Sequence, residues 1–484
     1  MLEGIDDKLV LTHLYAVEEL VGSLDLSPIQ QTYSNRGTVP WPVCCMLRIV
    51  LYEILDGRMS PSQWARDCQT SKEVQYLARG IDPRRTTLYE FRDRAEKFIN
   101  AIHKQLLQQA NDEGVLDGRE ASIDGTFIGA LASRHRIVNQ SSLDKRMQRL
   151  DSIRERDLEG EKIPDTEIPN WMAKTIGGRE EQQERFQTAK TVIQERIEKN
   201  ARKSKRDRLD ETKIFVSTSD PKVPISRDKK KVFGPLWPTQ FVTDVKSNLI
   251  VATAVFPLAT DVGTIGPMID MSQENLAHSL KKLLADAGYT SILDLIDCKA
   301  RGIDLYAPVQ ENGLTEQNKA KKPVKVIQIP RSEFQFSPNT NRYTCPAGHE
   351  MPGTRNGKVR RFDGRELAST SYQLPVKICQ ACPLKESCLR SGKMNRRINR
   401  VEGQEVLDAQ REKMTEEIAK ATRTTRAQTA ERSFAEVKTR ACLNRIGCKT
   451  IERANTIVAL HVVAINLLRL YRLRQARKTV EISG

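Results

Sequence analysis

Histidine is scarce in this sequence. Six stand among 484 residues, with no i, i+4 or other pairing that would put two imidazoles on one helix face, so no role is read for them. Long apolar runs are missing too. The most apolar stretch, Ile457 to Leu470, is shorter than a membrane span and contains His461 and Asn466. The opening residues, Met1-Leu2-Glu3-Gly4-Ile5-Asp6-Asp7, lack the basic start and apolar core of a secretion signal. Both gaps point to a soluble intracellular protein with no membrane. Ten cysteines in so long a chain make no disulfide scaffold, and in a reducing compartment a cluster of them reads first as metal ligands. Acid is in deficit, with 62 Asp and Glu against 78 Lys and Arg, a net charge of +16 and a pI near 9.4. That excess suits a polyanionic partner, most commonly nucleic acid, or else a plain solvated basic surface.

The length implies two to four domains. Residues 1–115 read as helices. Leu9, Leu11, Leu14, Val17, Leu20 and Val21 make one apolar face, and Val43 to Leu55 is almost wholly apolar. Ser60-Pro61 starts a third helix, and Asp82 to Thr87 a fourth that runs to about Ala110. This pattern fits a helical DNA-binding domain and a plain helical bundle equally, and end recognition is expected to survive in a fragment of residues 1–115. Residues 116–310 supply short strands, with a charged helical excursion at 140–212 that reads as solvated and ends in Arg202, Lys203, Lys205, Arg206 and Arg208. Residues 311–424 read as a basic, strand-poor, cysteine-bearing insertion, and residues 425–484 as two closing helices.

Within that frame, Ala121-Ser122-Ile123-Asp124-Gly125-Thr126 reads as a brief strand that delivers Asp124 to its carboxyl end before a Gly-Thr break. A strand closing in an Asx turn would look the same. Gln240–Val245 and Leu249–Val255 form a hairpin, a helix follows, and Leu283-Leu284-Ala285-Asp286 is a second short strand ending in a carboxylate. Ile303–Pro308 is a third. Hairpin, helices and parallel strands predict an α/β mixed sheet with flanking helices, and sites in such sheets form at strand ends. Glu431 stands on the first closing helix. Three converging carboxylates would hold two Mg²⁺ ions for phosphoryl transfer. Asp220, Asp244 and Asp261 read as turn or supporting acids, Asp261 being the strongest exception.

Ser122-Ile123-Asp124-Gly125-Thr126, Leu284-Ala285-Asp286-Ala287-Gly288-Tyr289 and Ala430-Glu431-Arg432-Ser433-Phe434-Ala435-Glu436-Val437-Lys438 resemble the three catalytic blocks of bacterial insertion-sequence transposases of the DDE type. Pro40 to Phe91 is similar to that family's helical N-terminal domain, and Asn466-Leu467-Leu468-Arg469-Leu470 to its closing helix. The resemblance implies a ribonuclease-H-like core and a metal-dependent enzyme that cuts at transposon ends and transfers strands. It implies Asp124, Asp286 and Glu431 as catalytic ligands of two Mg²⁺ (or Mn²⁺) ions, and Lys438 as a phosphate contact. It further implies terminal inverted repeats and target DNA as partners, a homodimer in the synaptic complex, and the bacterial cytoplasm, at the nucleoid, as location. Arg84, Arg85 and Arg92, in the basic helix start, are the further DNA-binding candidates. The sequence departs from the family pattern at Ala435, where glycine is usual, at Thr424-Thr425-Arg426, and at Leu236-Trp237-Pro238-Thr239.

Cys379-x2-Cys382-x5-Cys388, with Cys345 upstream, has the content of a closed tetrahedral Zn²⁺ site, with His349 as alternate ligand. Free thiols in a loop are the other reading of the same spacing. Similar transposases carry the pattern, which favours one structural zinc. On the acid-bearing helix, Ala430, Phe434, Val437 and Ala441 form an apolar stripe. At about 100° per residue, Glu431 lies roughly 90° from its centre and Glu436 roughly 130°, so Glu431 is expected to reach the strand ends and Glu436 to face solvent.

Overall fold

Apolar residues spaced three and four apart give the N-terminal quarter its helices. In the computed structural model, α1 (Lys8–Gly22) buries Leu14, Val17, Leu20 and Val21, while Leu9 is exposed. Eleven of the thirteen residues of α2 (Val43–Leu55) are buried. Then come α3 (Pro61–Thr70) and α4 (Lys72–Ala78). The helix expected to run to Ala110 is two, α5 (Arg85–Arg94) and α6 (Ile99–Asp112), parted by a 3₁₀ turn and by Phe98, whose φ of −131° leaves helical space. The structure describes residues 8–34, 39–203, 208–228, 232–258, 261–309, 329–360, 365–389 and 392–483. Lys205 and Arg206 of the expected basic cluster lie outside these.

The chain divides into two compact units, Met1–Leu284 with Thr424–Gly484, and Ala285–Arg423. The first holds a sheet of β1 (Glu120–Gly129), β2 (Phe233–Asp244), β3 (Ile250–Val255) and β4 (Lys282–Leu284), in the order β3-β2-β1-β4. β2 runs antiparallel to both β1 and β3, and β4 runs parallel to β1 with Ser122 opposite Leu284. β1 is longer than expected. Gly125 and Thr126 pair with Gln240 and Thr239, so the ladder carries the strand through the Gly-Thr pair and Asp124 sits mid-strand. The hairpin turn is held by Asp244, which is wholly buried and accepts from Ser247 N (2.7 Å), Ser247 Oγ (2.6 Å) and Gly118 N (2.9 Å).

The last helix, Ile451–Ser483, seals the open edge of this sheet. Asn466 accepts from Ile250 N (2.9 Å) and donates to Ile250 O (2.7 Å), and Asn455 accepts from Val255 N (2.8 Å). Side-chain amides thus satisfy strand groups that would otherwise offer a pairing edge. His103 of α6 donates to the same Ile250 O (2.8 Å), and burial pulls its pKa down to about 4, so it is neutral. Over Ile451–Thr479 this helix is long and apolar enough to cross a membrane by length and composition, but 78% of its apolar 18-residue window is buried inside the protein. It is a core helix shared by the N-terminal helices and the sheet.

The excursion is not a solvated arm. α7 (Gln140–Leu158) and α8 (Ile176–Ala201) bury Leu143, Met147, Leu150 and Ile153 against Phe186, Ala189, Ile193 and Ile197. These apolar positions are few, but all fall three or four apart, which is enough for one packed seam. A buried Arg179–Asp157 pair (2.6 Å) ties the ends together.

The second unit also departs from expectation, since it is not strand-poor. It contains α10 (Ile292–Ala300), following α9 (Ile265–Asn275) of the first unit, and the short β5 (Asp304–Tyr306). Beyond these, β6 (Gln335–Ser337), β7 (Arg342–Thr344), β8 (Glu350–Arg360), β9 (Glu366–Gln373) and β10 (Arg397–Val401) form an antiparallel sheet in sequential order. Its strands are polar on the open face. Its core is a small cluster of Phe334, Tyr343, Met351, Tyr372, Leu374, Cys379 and Ile398. Phe336, Tyr343 and Tyr372 pack with centroids 5.0 to 6.0 Å apart.

Candidate active site

Asp124 points to the sheet face on which the helix Glu416–Ala435 packs. Alternation along the strands puts Asp124 and its neighbour Phe241 on that face. Phe241 meets Phe434 edge-to-face at 5.9 Å, and Thr243 Oγ1 lies 3.2 Å from Ser433 Oγ. Arg426, one of the departures from the family pattern, forms an ion pair with Asp124 Oδ2, while Asp124 Oδ1 accepts from Gly125 N (2.8 Å). Both side chains of the pair are about one-fifth exposed. The helix is therefore locked to β1 by residues 302 positions apart in sequence.

On the other face, Gln240 donates to Asp261 at 2.7 Å, and both crowd Gly125. A Cβ at 125 would meet Gln240 Nε2 at 2.6 Å and Asp261 Oδ1 at 3.0 Å, so a larger residue there would have to displace the ends of those two side chains. Asp261 is a supporting acid in this arrangement. Asp220, also buried, accepts from Thr450 N (3.1 Å) at the start of the last helix.

Asp286 follows β4 by two residues and belongs to the second unit, where it caps a 3₁₀ turn by accepting from Gly288 N (2.7 Å). Glu431 is exposed on its helix. Among the described residues, no three of His, Cys, Asp or Glu are gathered so as to hold a metal ion.

The helix orientation corrects the expectation from its apolar stripe. The buried positions are Thr422, Thr429, Ala430, Ser433 and Val437, a face turned roughly 60° from the stripe at 100° per residue. Small hydroxyl residues can be buried here because their oxygens are satisfied, as Thr429 Oγ1 is by Thr425 O (2.9 Å). Glu436 consequently turns inward and pairs with the buried Arg469 (2.5 Å), while Glu431 is the residue left in solvent.

The expected DNA contacts divide. Arg84 and Arg85 are exposed at the start of α5. Arg92 is not available, being 7% exposed, bonded to Asp93 and stacked on Tyr89 at 4.9 Å. Lys438 donates to Phe127 O (2.9 Å) and so braces β1. Arg440 and Arg469, to which the sequence analysis gave no role, both pair with Glu436. The spacing Arg432-x3-Glu436-x3-Arg440 was a signal for the first of them, and none pointed to Arg469.

In the second unit, Cys345, Cys379, Cys382 and Cys388 all line one cavity of about 30 Å³, with His349, Phe334, Met351 and Leu374 in its wall. Burial pushes the Cys388 thiol above its usual range, and the other three cysteines add to this. Thiols and an imidazole are the residue types that tetrahedral Zn²⁺ takes, although in this structure they line the cavity without being gathered about a metal position.

Two family models match the chain. Residues 7–94 match one described as a transposase domain (DUF772), and residues 344–471 match one described as a transposase DDE domain. The second match spans the cysteine segment, Glu431 and much of the last helix. Asp124 and Asp286 lie outside both. No curated protein matches the chain.

Proposed function

We propose that this chain, a DDE transposase of the insertion-sequence type, hydrolyses the phosphodiester at the ends of its element and joins the freed 3′-hydroxyl to target DNA. One observation carries the reading: the Asp124–Arg426 ion pair pins the helix that bears Glu431 onto the strand that bears Asp124. Asp124, Asp286 and Glu431 would hold two Mg²⁺ or Mn²⁺ ions, a donor set made only of hard carboxylate oxygens. Bound there, the ions would activate the attacking water or hydroxyl and stabilise the leaving oxygen. Gly125 N and Arg426 keep the Asp124 carboxylate oriented and its charge balanced. Lys438 ties its helix to the β1 backbone. Arg84 and Arg85 offer cations to phosphates, and the net charge of +16 favours DNA generally. A homodimer would join two ends at the nucleoid in the cytoplasm.

The test uses a duplex carrying the inverted repeats that flank the gene. Mg²⁺-dependent nicking together with strand-transfer products supports the reading. Nicking without transfer would make the chain a nuclease of the same fold, and binding without nicking would make it a DNA-binding derivative.

The four cysteines of the second unit are proposed as ligands of one structural Zn²⁺, with His349 in reserve. The apolar cluster beneath the five-stranded sheet is small, and a metal would add folding energy to it.

A further inference from the structure

We propose that Arg432, Arg440, Arg469 and Arg472 form a binding site for a backbone phosphate of DNA, with Glu436 holding Arg469 in place. The site rests on the DNA-transposase reading for the identity of its ligand, but not for its existence. Two guanidinium groups, of Arg469 and Arg440, stand at the Glu436 carboxylate, and those of Arg432 and Arg472 lie within electrostatic reach of them. Arg469 Nε bonds Glu436 Oε2 at 2.5 Å, and Arg440 Nη1 lies 3.9 Å from Glu436 Oε1. Arg432 and Arg440 act electrostatically on Arg469, and both of them together with Glu436 on Arg472. Four positive charges less one negative leave three uncompensated.

A basic protein has many surface arginines, and most of them are simply solvated. Burial separates this group from those. The Arg469 side chain is 7% exposed and that of Arg440 31%. Arg469 Nη1, Arg469 Nη2 and Arg440 Nη1 are buried with no hydrogen-bond partner. Within the fold these donors find no acceptor, since the Glu436 carboxylate is already engaged by Arg469 Nε. Burial holds the charge of Arg469 below its ordinary stability, and the like charges of Arg432 and Arg440 add to that strain. Buried cationic donors that lack an acceptor are suited to an incoming oxyanion, and guanidinium forks match phosphate geometry. Exposed Arg432 marks the open side of the cluster.

The experiment uses the full chain and two probes. In the first arm, thermal melting is followed in sodium sulfate or inorganic phosphate against chloride at equal ionic strength. In the second, binding to a random-sequence duplex is measured as a function of salt. The variant is Arg440→Gln with Arg472→Gln, which leaves the Arg469–Glu436 pair intact. The expected result is loss of the sulfate-specific rise in Tm and a decrease of about one in the salt slope of DNA binding. Glu436→Gln is expected to melt lower in chloride but to gain a larger sulfate shift, which a merely structural glutamate would not show. A wild-type sulfate shift and salt slope in the double variant would overturn the site. Loss of the sulfate shift with an unchanged DNA slope would overturn DNA as its ligand in favour of a free phosphate. End cleavage by the wild type is scored separately, so the site stands or falls whether or not the chain proves to be an active transposase.

Discussion

At the scale of single residues, the sharpest anomaly is Glu53. It is wholly buried in α2, both its carboxylate oxygens lack a hydrogen-bond partner, and the Arg58 guanidinium is 3.7 Å away. Burial raises its pKa from the ordinary 4.5 to about 8, opposed by Arg58. The folded state then keeps a proton that the unfolded chain has lost, so stability should fall as pH rises from about 4.5 to about 8 and level off above. Glu53→Gln should remove that slope and stabilise the protein at pH 7 by about 1–3 kcal/mol. Chemical denaturation at pH 5 and pH 7 measures it, and parallel slopes in the two proteins would refute the assignment. In the proposed active site, Asp124→Asn and Glu431→Gln should each cut cleavage to below about one-hundredth while sparing DNA binding, since each would remove a hard anionic ligand without changing shape. Glu436→Gln should keep cleavage and lower Tm, because it weakens a buried ion pair. Cleavage lost on Glu436→Gln and kept on Glu431→Gln would exchange their roles. The local pattern made Asp124 legible, as an acid inside a short apolar run. The partner of Asp124 was not legible, because Arg426 is brought to it by packing across 302 residues. The inward turn of Glu436 was hidden for a different reason: an apolar stripe does not count buried Thr429 and Ser433.

At the scale of elements, strand and helix order was readable around the first sheet but the lengths were not, and the five-stranded sheet of the second unit was not read at all. β1 runs through Gly125 because β2 pairs with it along nine positions, a cooperative effect no local propensity contains. The α7–α8 seam escaped notice because eight spaced apolar residues were diluted by charge. Phe186→Ala should therefore cost about 3–5 kcal/mol, the usual penalty for a buried aromatic, whereas a solvated arm would lose almost nothing. The last helix has a further consequence. It packs on α1, α2 and α6, and Asn466 and His103 meet at the same strand carbonyl. A fragment of residues 1–115, expected from sequence to fold and recognise DNA ends, would lose the helix on which α1, α2 and α6 pack. Circular dichroism of that fragment should show a non-cooperative melt, and end recognition should require the last helix as well.

At the scale of the whole molecule, two compact units imply two cores of unequal strength. The first buries long apolar runs of α2 and the last helix around a sheet. In the second, the five-stranded sheet relies on one cluster of seven buried residues, three of them aromatic, while Tyr289, Leu293, Leu295 and Leu305 are buried elsewhere in the unit. A sheet with so small a core of its own gains from a further source of stability. The cavity ringed by Cys345, Cys379, Cys382 and Cys388 is where one can enter. Zinc binding to thiolates would contribute about 10–16 kcal/mol at neutral pH, most of it as folding energy. The purified protein should therefore contain about one Zn²⁺ per chain, and changing both Cys379 and Cys382 to Ser should remove it. Chelation should melt the second unit and leave the first folded, so that one transition moves and the other stays. Tryptophan reports only on the first unit, since Trp41, Trp64, Trp171 and Trp237 all lie there. Tyr343 and Tyr372, packed beside the cysteines, report on the second. A chelator that leaves the tyrosine environment unchanged in protein free of zinc would show that the thiol cluster is an apolar core in its own right.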